Sequence, residues 1–192
     1  MVHYLSRMCV SHTLQSVLES GQEARIVKID FSAAFDRVNQ QGILDKLWPV
    51  GIGGSVFSIL TQFLSNRSQH VIVDSCSKLV NVVSRVPHGS VLGPLLFLLH
   101  TSELHSILEN KLIGYANDST LIAVVPSPGF RVTVAESLSP NLFKVSEWCD
   151  LWGMKLNASN TQKILYMIVS RSHTMHPQLP PLNHWRNCAE GV

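Results

Sequence analysis

Leu112-Ile113-Gly114-Tyr115-Ala116-Asn117-Asp118-Ser119-Thr120-Leu121-Ile122 constrains this chain more than any other stretch, because two apolar runs flank a polar centre of Asn, Asp and Ser. That pattern predicts a strand, a tight turn and a second strand. The tip would hold Asp118 in a fixed place, where a carboxylate is useful for binding a metal or polarising a substrate. A second carboxylate, Asp30, ends the β-prone run of Ile26, Val27 and Ile29, and the Ser32-Ala33-Ala34-Phe35 that follows suits a turn into a helix. Two acidic strand ends brought together by a sheet make a site for a hard cation, which takes carboxylate oxygens and keeps positions open for phosphates. An Asp at a strand end is more often a turn former or a helix cap, and on the pair alone that reading prevails.

The totals support a packed domain. At 192 residues, 45% hydrophobic and 15% charged, the chain suits one domain with a real core and is not the composition of a disordered segment. A net charge of +2, with Lys and Arg scattered, neither demands nor excludes nucleic acid. Cys9, Cys76, Cys149 and Cys188 form no Cys-x-x-Cys pair, which argues against a zinc ribbon and a disulfide framework. No signal peptide is visible, and the most apolar run, Val91 to Leu99, is short of the ~20 residues that span a bilayer. An intracellular protein with no membrane partner is the expectation.

In chain order, a helix is expected over Ser11 to Leu18, with Ser11 as its cap and Gly21 as its stop. Helices follow from Gln41 to Leu47, with Ile43, Leu44 and Leu47 as its stripe, and from Val56 to Leu64, with Ile59, Leu60, Phe63 and Leu64. Gln69 to Asp74 and Leu79 to Val86 predict a hairpin turning at Ser75-Cys76-Ser77-Lys78. Pro94 suits the first turn of a helix reaching about Leu108, with Leu95, Leu98, Leu99, Ser102 and His105 at inward or edge positions. A long helix over Val134 to Trp152 carries Leu138, Leu142, Val145, Trp148 and Leu151 or Trp152 at helical spacing; Pro140 predicts a kink or broken start, and Gly153 the end. Short strands are expected at Lys155-Leu156-Asn157 and from Ile164 to Val169, then an irregular tail from His173. Strands and helices interleave without strict alternation, which predicts an α+β fold: a mostly antiparallel sheet with helices packed on one face.

Four stretches gain meaning together. They are Asp30-Phe31-Ser32-Ala33-Ala34-Phe35-Asp36, Pro87-His88-Gly89-Ser90-Val91-Leu92-Gly93-Pro94-Leu95-Leu96-Phe97, Tyr115-Ala116-Asn117-Asp118 and Trp152-Gly153-Met154-Lys155-Leu156-Asn157. In this order and at these distances they resemble motifs A, B, C and D of reverse transcriptases, closest to those of non-long-terminal-repeat (LINE-type) retrotransposons, over roughly Ser11 to Arg171. The resemblance implies a polymerase palm over 24–171, a remnant of the fingers region with one helix over 1–23, and an irregular tail over 172–192. It implies template-directed addition of deoxynucleotides to a primer 3′-hydroxyl, with an RNA template, a DNA primer and deoxynucleoside triphosphates as partners, two Mg²⁺ ions, and no specific protein partner. Asp30, Asn117 and Asp118 fall on the catalytic positions. Asp30 would hold both metals, the Phe31 carbonyl would help with one, and Asp118 would support the other. Phe35 matches the aromatic that stacks under the nucleotide sugar, while Pro87, His88 and Gly89 would shape the pocket around the new base pair.

The departures bear on activity. Motif C of the family is Tyr-x-Asp-Asp, and Asn117 stands where the first of those carboxylates belongs. An amide has nearly the same shape but lacks the charge that offsets a divalent ion, so the expectation is a loss of several orders of magnitude in rate. Motif B has His88 in place of Gln and Arg85 in place of the Gly two residues before its Pro; the Lys of motif D is missing near Asn160, with Lys155 and Lys163 out of register. Asn183 to Val192 can be written in codons that, shifted by one base, read Thr-Ile-Gly-Gly-Thr-Val-Leu-Lys-Glu, and a frameshift in a decayed, truncated copy is our reading of that tail. Asp36 reads as a helix-start acid, and Arg67, Lys78 and Arg85 as a solvated face. The alternative to an impaired polymerase is a non-enzymatic remnant that folds and binds nucleic acid weakly or has no function.

Overall fold

Glu23–Ser32 form one ten-residue strand, β1, on which a five-stranded sheet is built in the computed structural model, which describes residues 2–70, 72–73, 75–82, 84–87, 89–115, 118–157 and 165–171. The chain divides into two compact units, one of Met1–Ser32 with Ser102–Val192 and one of Ala33–Thr101. The first holds the sheet. On one side of β1 lies β7 (Asp118–Val125), with β6 (Lys111–Tyr115) beyond it; on the other, β9 (Leu165–Val169) pairs with residues 24–28 and β8 (Lys155–Leu156) with residues 31–32. Every pairing is antiparallel. Asp30 is therefore not the last residue of its strand. Phe31 and Ser32 continue the ladder because Leu156 and Lys155 satisfy their backbone.

Alternation along β1 sorts its side chains onto two faces. Arg25, Val27, Ile29 and Phe31 are buried on one face, and Phe31 meets the Trp148 ring edge-on at 6.1 Å. Trp148 belongs to α7 (Arg131–Trp152), which buries Ala135, Leu138, Leu142, Val145 and Trp148. On the other face, Ala24 and Ile122 pack with Val17 of α1 (Val2–Glu19), joined by Val10, Leu14, Ile113 and Val169. That leaves Lys28, Asp30 and Ser32 of β1 in exposed or half-buried positions. The start of β1 is pinned by Arg131, whose Nε donates to Glu23 at 2.9 Å and whose Nη2 also reaches that carboxylate. This bond to Glu23 raises the pKa of the guanidinium.

Two helices of this first unit differ from expectation. α1 begins at Val2, so Ser11 is an interior residue and not a cap: Val2 to Glu19 contain no Pro or Gly, and nothing stops the helix upstream. Gly21 does end it, at φ 70°, with Gln22 N–H donating to Val17 and Gly21 N–H to Leu18. α7 runs unbroken through Pro140 and begins at Arg131 rather than Val134. Asn141, just after the proline, donates its side-chain amide to the Ser137 carbonyl at 2.8 Å and accepts from the Glu109 N–H at 2.8 Å, which ties this turn of the helix to the segment before β6. Gly153 terminates α7 at φ 66°, and Met154 N–H bonds Cys149 at 2.9 Å. Leu151 is 77% exposed, whereas Trp152 is half-buried and donates its indole N–H to Glu103.

The second unit is mainly helical: α2 (Ala34–Arg37), α3 (Gln40–Leu47), α4 (Gly54–Leu64) and α5 (Leu92–Thr101). Asn39 caps α3 by accepting from Gly42 N–H at 2.9 Å, and Ile43, Leu44 and Leu47 are buried. In α4, Leu60 and Leu64 are buried but Ile59 is exposed. The hairpin has two short ladders, β2 (Ser68–Gln69) with β5 (Val80–Asn81) and β3 (Ile72–Val73) with β4 (Ser75–Cys76), so it turns earlier than Ser75–Lys78. The helix expected to reach Leu108 stops at Thr101, whose hydroxyl bonds back to the Phe97 and Leu98 carbonyls; a separate turn, α6 (Leu104–Ile107), follows. Leu96, Phe97 and His100 are buried, while Leu95, Ser102 and His105 are exposed. The tail from 172 onward, with Ile164 and the 158–163 segment, lies outside the described residues. The architecture is α+β with an antiparallel sheet, as expected.

Candidate active site

The β1–β7 register sets Asp30 directly opposite Asp118. Directly opposed residues in an antiparallel pair project to the same face with Cβ atoms ~4.5–5.5 Å apart, so the fold brings the two carboxylates together. In β6, Tyr115 is the partner of Asp118. Like charges placed opposite each other are unfavourable unless something offsets them. The offset differs at the two positions. Asn157 donates its side-chain amide to Asp30 Oδ2 at 2.8 Å, and its N–H to the Asp30 carbonyl at 2.9 Å. Lys28 places Nζ 3.2 Å from Asp118 Oδ1, with the two side chains 48% and 37% exposed.

This donor set is all oxygen and accessible to solvent, which suits a hard divalent cation that completes its shell with water or phosphate. Among the described residues no group of three or more His, Cys, Asp or Glu is placed to hold a metal by itself. The Phe31 side chain is committed to the core on the opposite face, so only its backbone is available at this level of the strand. Asn117 and His88 lie outside the described residues, as do Asn160 and Lys163.

The remaining expected residues belong to the second unit. Ala33 adopts a left-handed conformation, φ 48°, and starts α2. Phe35 is half-buried with its ring 5.2 Å from that of Phe97, and its carbonyl accepts from Val86 N–H at 3.0 Å. Asp36 does lie in the first turn of α2, and it also pairs with Arg85, Nε to Oδ1 2.7 Å. Arg85 is thus not simply a solvated charge. Its Nη1 donates to Gln69 at 2.9 Å, and its backbone sits at φ 89°. That φ accounts for a glycine at this place in motif B, because L-residues seldom adopt it. Gln40 donates to the Ser84 and Arg85 carbonyls, and Ser84 Oγ to the Asp36 carbonyl, which ties the end of motif A to the start of motif B.

Beyond Arg85, Gly89 takes φ 74° and Ser90 closes the turn: its N–H and hydroxyl both donate to the Pro87 carbonyl, and its oxygen accepts from Gly93 N–H at 3.0 Å. The Ser90 N–H is therefore engaged within the turn. Sequence reasoning did not single out Lys28 or Asn157 as neighbours of the carboxylates. Strand alternation was a usable signal for Lys28, two residues before Asp30. No local pattern announces Asn157, which is 127 positions from Asp30.

The model of the family described as reverse transcriptase (RNA-dependent DNA polymerase) matches residues 3–181. The chain is similar to the RNA-directed DNA polymerase from mobile element jockey of Drosophila funebris, 28% identical over 157 residues that cover 78% of this chain and 17% of that protein. It is also similar to the probable RNA-directed DNA polymerase from transposon BS of Drosophila melanogaster, 31% identical over 169 residues, 83% of this chain and 18% of that protein. The chain spans less than a fifth of the length of these curated relatives. A solved apo telomerase from Candida tropicalis aligns at TM-score 0.48 and 12% identity over 91% of this chain and 36% of that one, a likeness too slight to carry weight.

Proposed function

Because the chain belongs to the reverse transcriptase family, of the LINE type, we propose that residues 24–171 are the palm of an RNA-directed DNA polymerase in which Asp30 and Asp118 are the surviving metal-binding carboxylates. The observation that carries this reading is the pairing of Asp30 with Asp118 across β1 and β7. Reverse transcriptases use divalent metal; here the ion would be Mg²⁺, held by Asp30 and Asp118 with help from the Phe31 carbonyl. When bound, it supplies charge stabilisation to the attacking and leaving oxygens of the phosphoryl transfer. The chain's own residues supply the positioning: Asn157 orients Asp30, and the antiparallel ladder fixes the spacing of the two carboxylates. By the family resemblance, Phe35, Pro87, His88 and Gly89 are the nucleotide-binding residues in this reading, with an RNA template and a DNA primer as partners.

Asn117 weakens the chemistry, since it cannot contribute the third negative charge, and this favours a second reading in which the domain folds and binds nucleic acid without extending a primer. Mg²⁺-dependent extension of a DNA primer on an RNA template, run with the Asn117→Asp variant alongside, separates the two. Restoring the carboxylate should raise extension by at least about a hundredfold if it supplies ~3 kcal/mol of charge stabilisation. Equal extension by both chains would refute the impairment. No extension by either would favour the remnant, and salt-dependent binding to the primer-template would then show whether it retains nucleic-acid contacts.

A further inference from the structure

We infer that Lys28 is a tethered counter-cation of the carboxylate pair, which holds Asp118 in the metal-free chain and must be displaced before a divalent ion takes that carboxylate. The inference rests on the reading of Asp30 and Asp118 as divalent-ion ligands. Lys28 precedes Asp30 by two residues in β1, so alternation places the two on one face. Its cross-strand partner is Thr120, which makes Asp118 its diagonal neighbour, within reach of a long side chain. Nζ sits 3.2 Å from Asp118 Oδ1.

A different group is described at each carboxylate. Asp30 receives a neutral amide from Asn157, which orients it without cancelling its charge. Asp118 receives an ammonium, which competes for the same oxygen that a metal would use. Asp30, Asp118 and Lys28 together carry one formal negative charge, whereas an aspartate at position 117 would make it two. Lys28 consequently weighs more on metal affinity in this chain than it would beside three carboxylates. With the lysine side chain 48% exposed, the ammonium can swing into solvent at modest cost. The pair is set to tune metal binding without abolishing it.

The test is Mn²⁺ binding to the full chain, followed by the loss of the free-ion electron paramagnetic resonance signal, so that no turnover is needed. Lys28→Met and Lys28→Arg are compared with the unaltered chain, and each again with Asn117→Asp present. Lys28→Met should bind Mn²⁺ about fivefold more tightly, the factor that ~1 kcal/mol of partly exposed ion pairing converts to. Lys28→Arg should stay close to the unaltered chain, because it keeps the cation. Adding Asp118→Asn to both the unaltered chain and Lys28→Met should erase the difference between them. Should Lys28→Met be poorly folded by thermal melting, Lys28→Gln takes its place. Equal affinities for the folded Lys28→Met or Lys28→Gln variant and the unaltered chain, with Mn²⁺ bound by both, would overturn this inference and leave the ligand reading standing. Absence of Mn²⁺ binding in every variant, Asn117→Asp included, would overturn the ligand reading and this inference with it.

Discussion

Replacing Arg85 by glycine and, separately, by alanine measures the cost of its backbone apart from the contribution of its side chain. At φ 89° the residue occupies left-handed space, where an L-residue pays about 1–2 kcal/mol. Glycine relieves this but has a more disordered unfolded chain, which returns about 0.4–1 kcal/mol. The balance favours glycine over alanine by roughly 0.5–1 kcal/mol, opposite in sign to the helix or strand interior. Alanine also forfeits the ion pair with Asp36, whose side chains are 33% and 39% exposed; at that exposure the pair is worth about 0.5–1 kcal/mol. The expected order is therefore the unaltered chain close to Arg85→Gly, with Arg85→Ala below both. In thermal melts the Gly and Ala variants should differ by roughly 1–4 °C for a chain of this length. A double-mutant cycle with Asp36→Ala isolates the side-chain part. Alanine as stable as glycine would refute the backbone argument, and a coupling near zero would refute the ion-pair argument.

Asn157→Ala removes the part-buried hydrogen bond from its side-chain amide to Asp30 Oδ2, and should lower stability by about 1.5 kcal/mol, read as a lower urea midpoint at unchanged slope; an unchanged midpoint would show that Asp30 is not held this way. Arg25 is fully buried, and among the described residues its guanidinium nitrogens have no hydrogen-bond partner. Arg25→Met keeps the volume and removes the buried charge, so it should stabilise the fold by about 1–3 kcal/mol, and a destabilised Arg25→Met in the same urea titration would count against the reasoning.

Short-range chemistry made much of this protein readable without a structure. The pairing of β6 with β7 follows from two apolar runs flanking a short polar centre, because pleat alternation leaves few other registers. Gly21 and Gly153 end their helices because only glycine takes left-handed φ without strain, and Asn39 starts α3 because its side chain supplies a bond that the first turn lacks. The motif series named the carboxylates Asp30 and Asp118, and the cross-strand register then set them opposite one another. Tertiary structure decided what meets them. Alternation puts Lys28 on the face of Asp30, but its contact with Asp118 and that of Asn157 with Asp30 come from strand pairing, which no window of neighbouring residues encodes. The same holds for α7, which passes through Pro140 with Asn141 bonding both Ser137 and a residue outside the helix. It holds again for Arg85, whose left-handed backbone is held in a mesh with Asp36, Gln69 and Gln40. Propensity and periodicity act over a turn or a pleat, whereas the orientation of a carboxylate and the offset of its charge depend on groups brought in from distant parts of the chain.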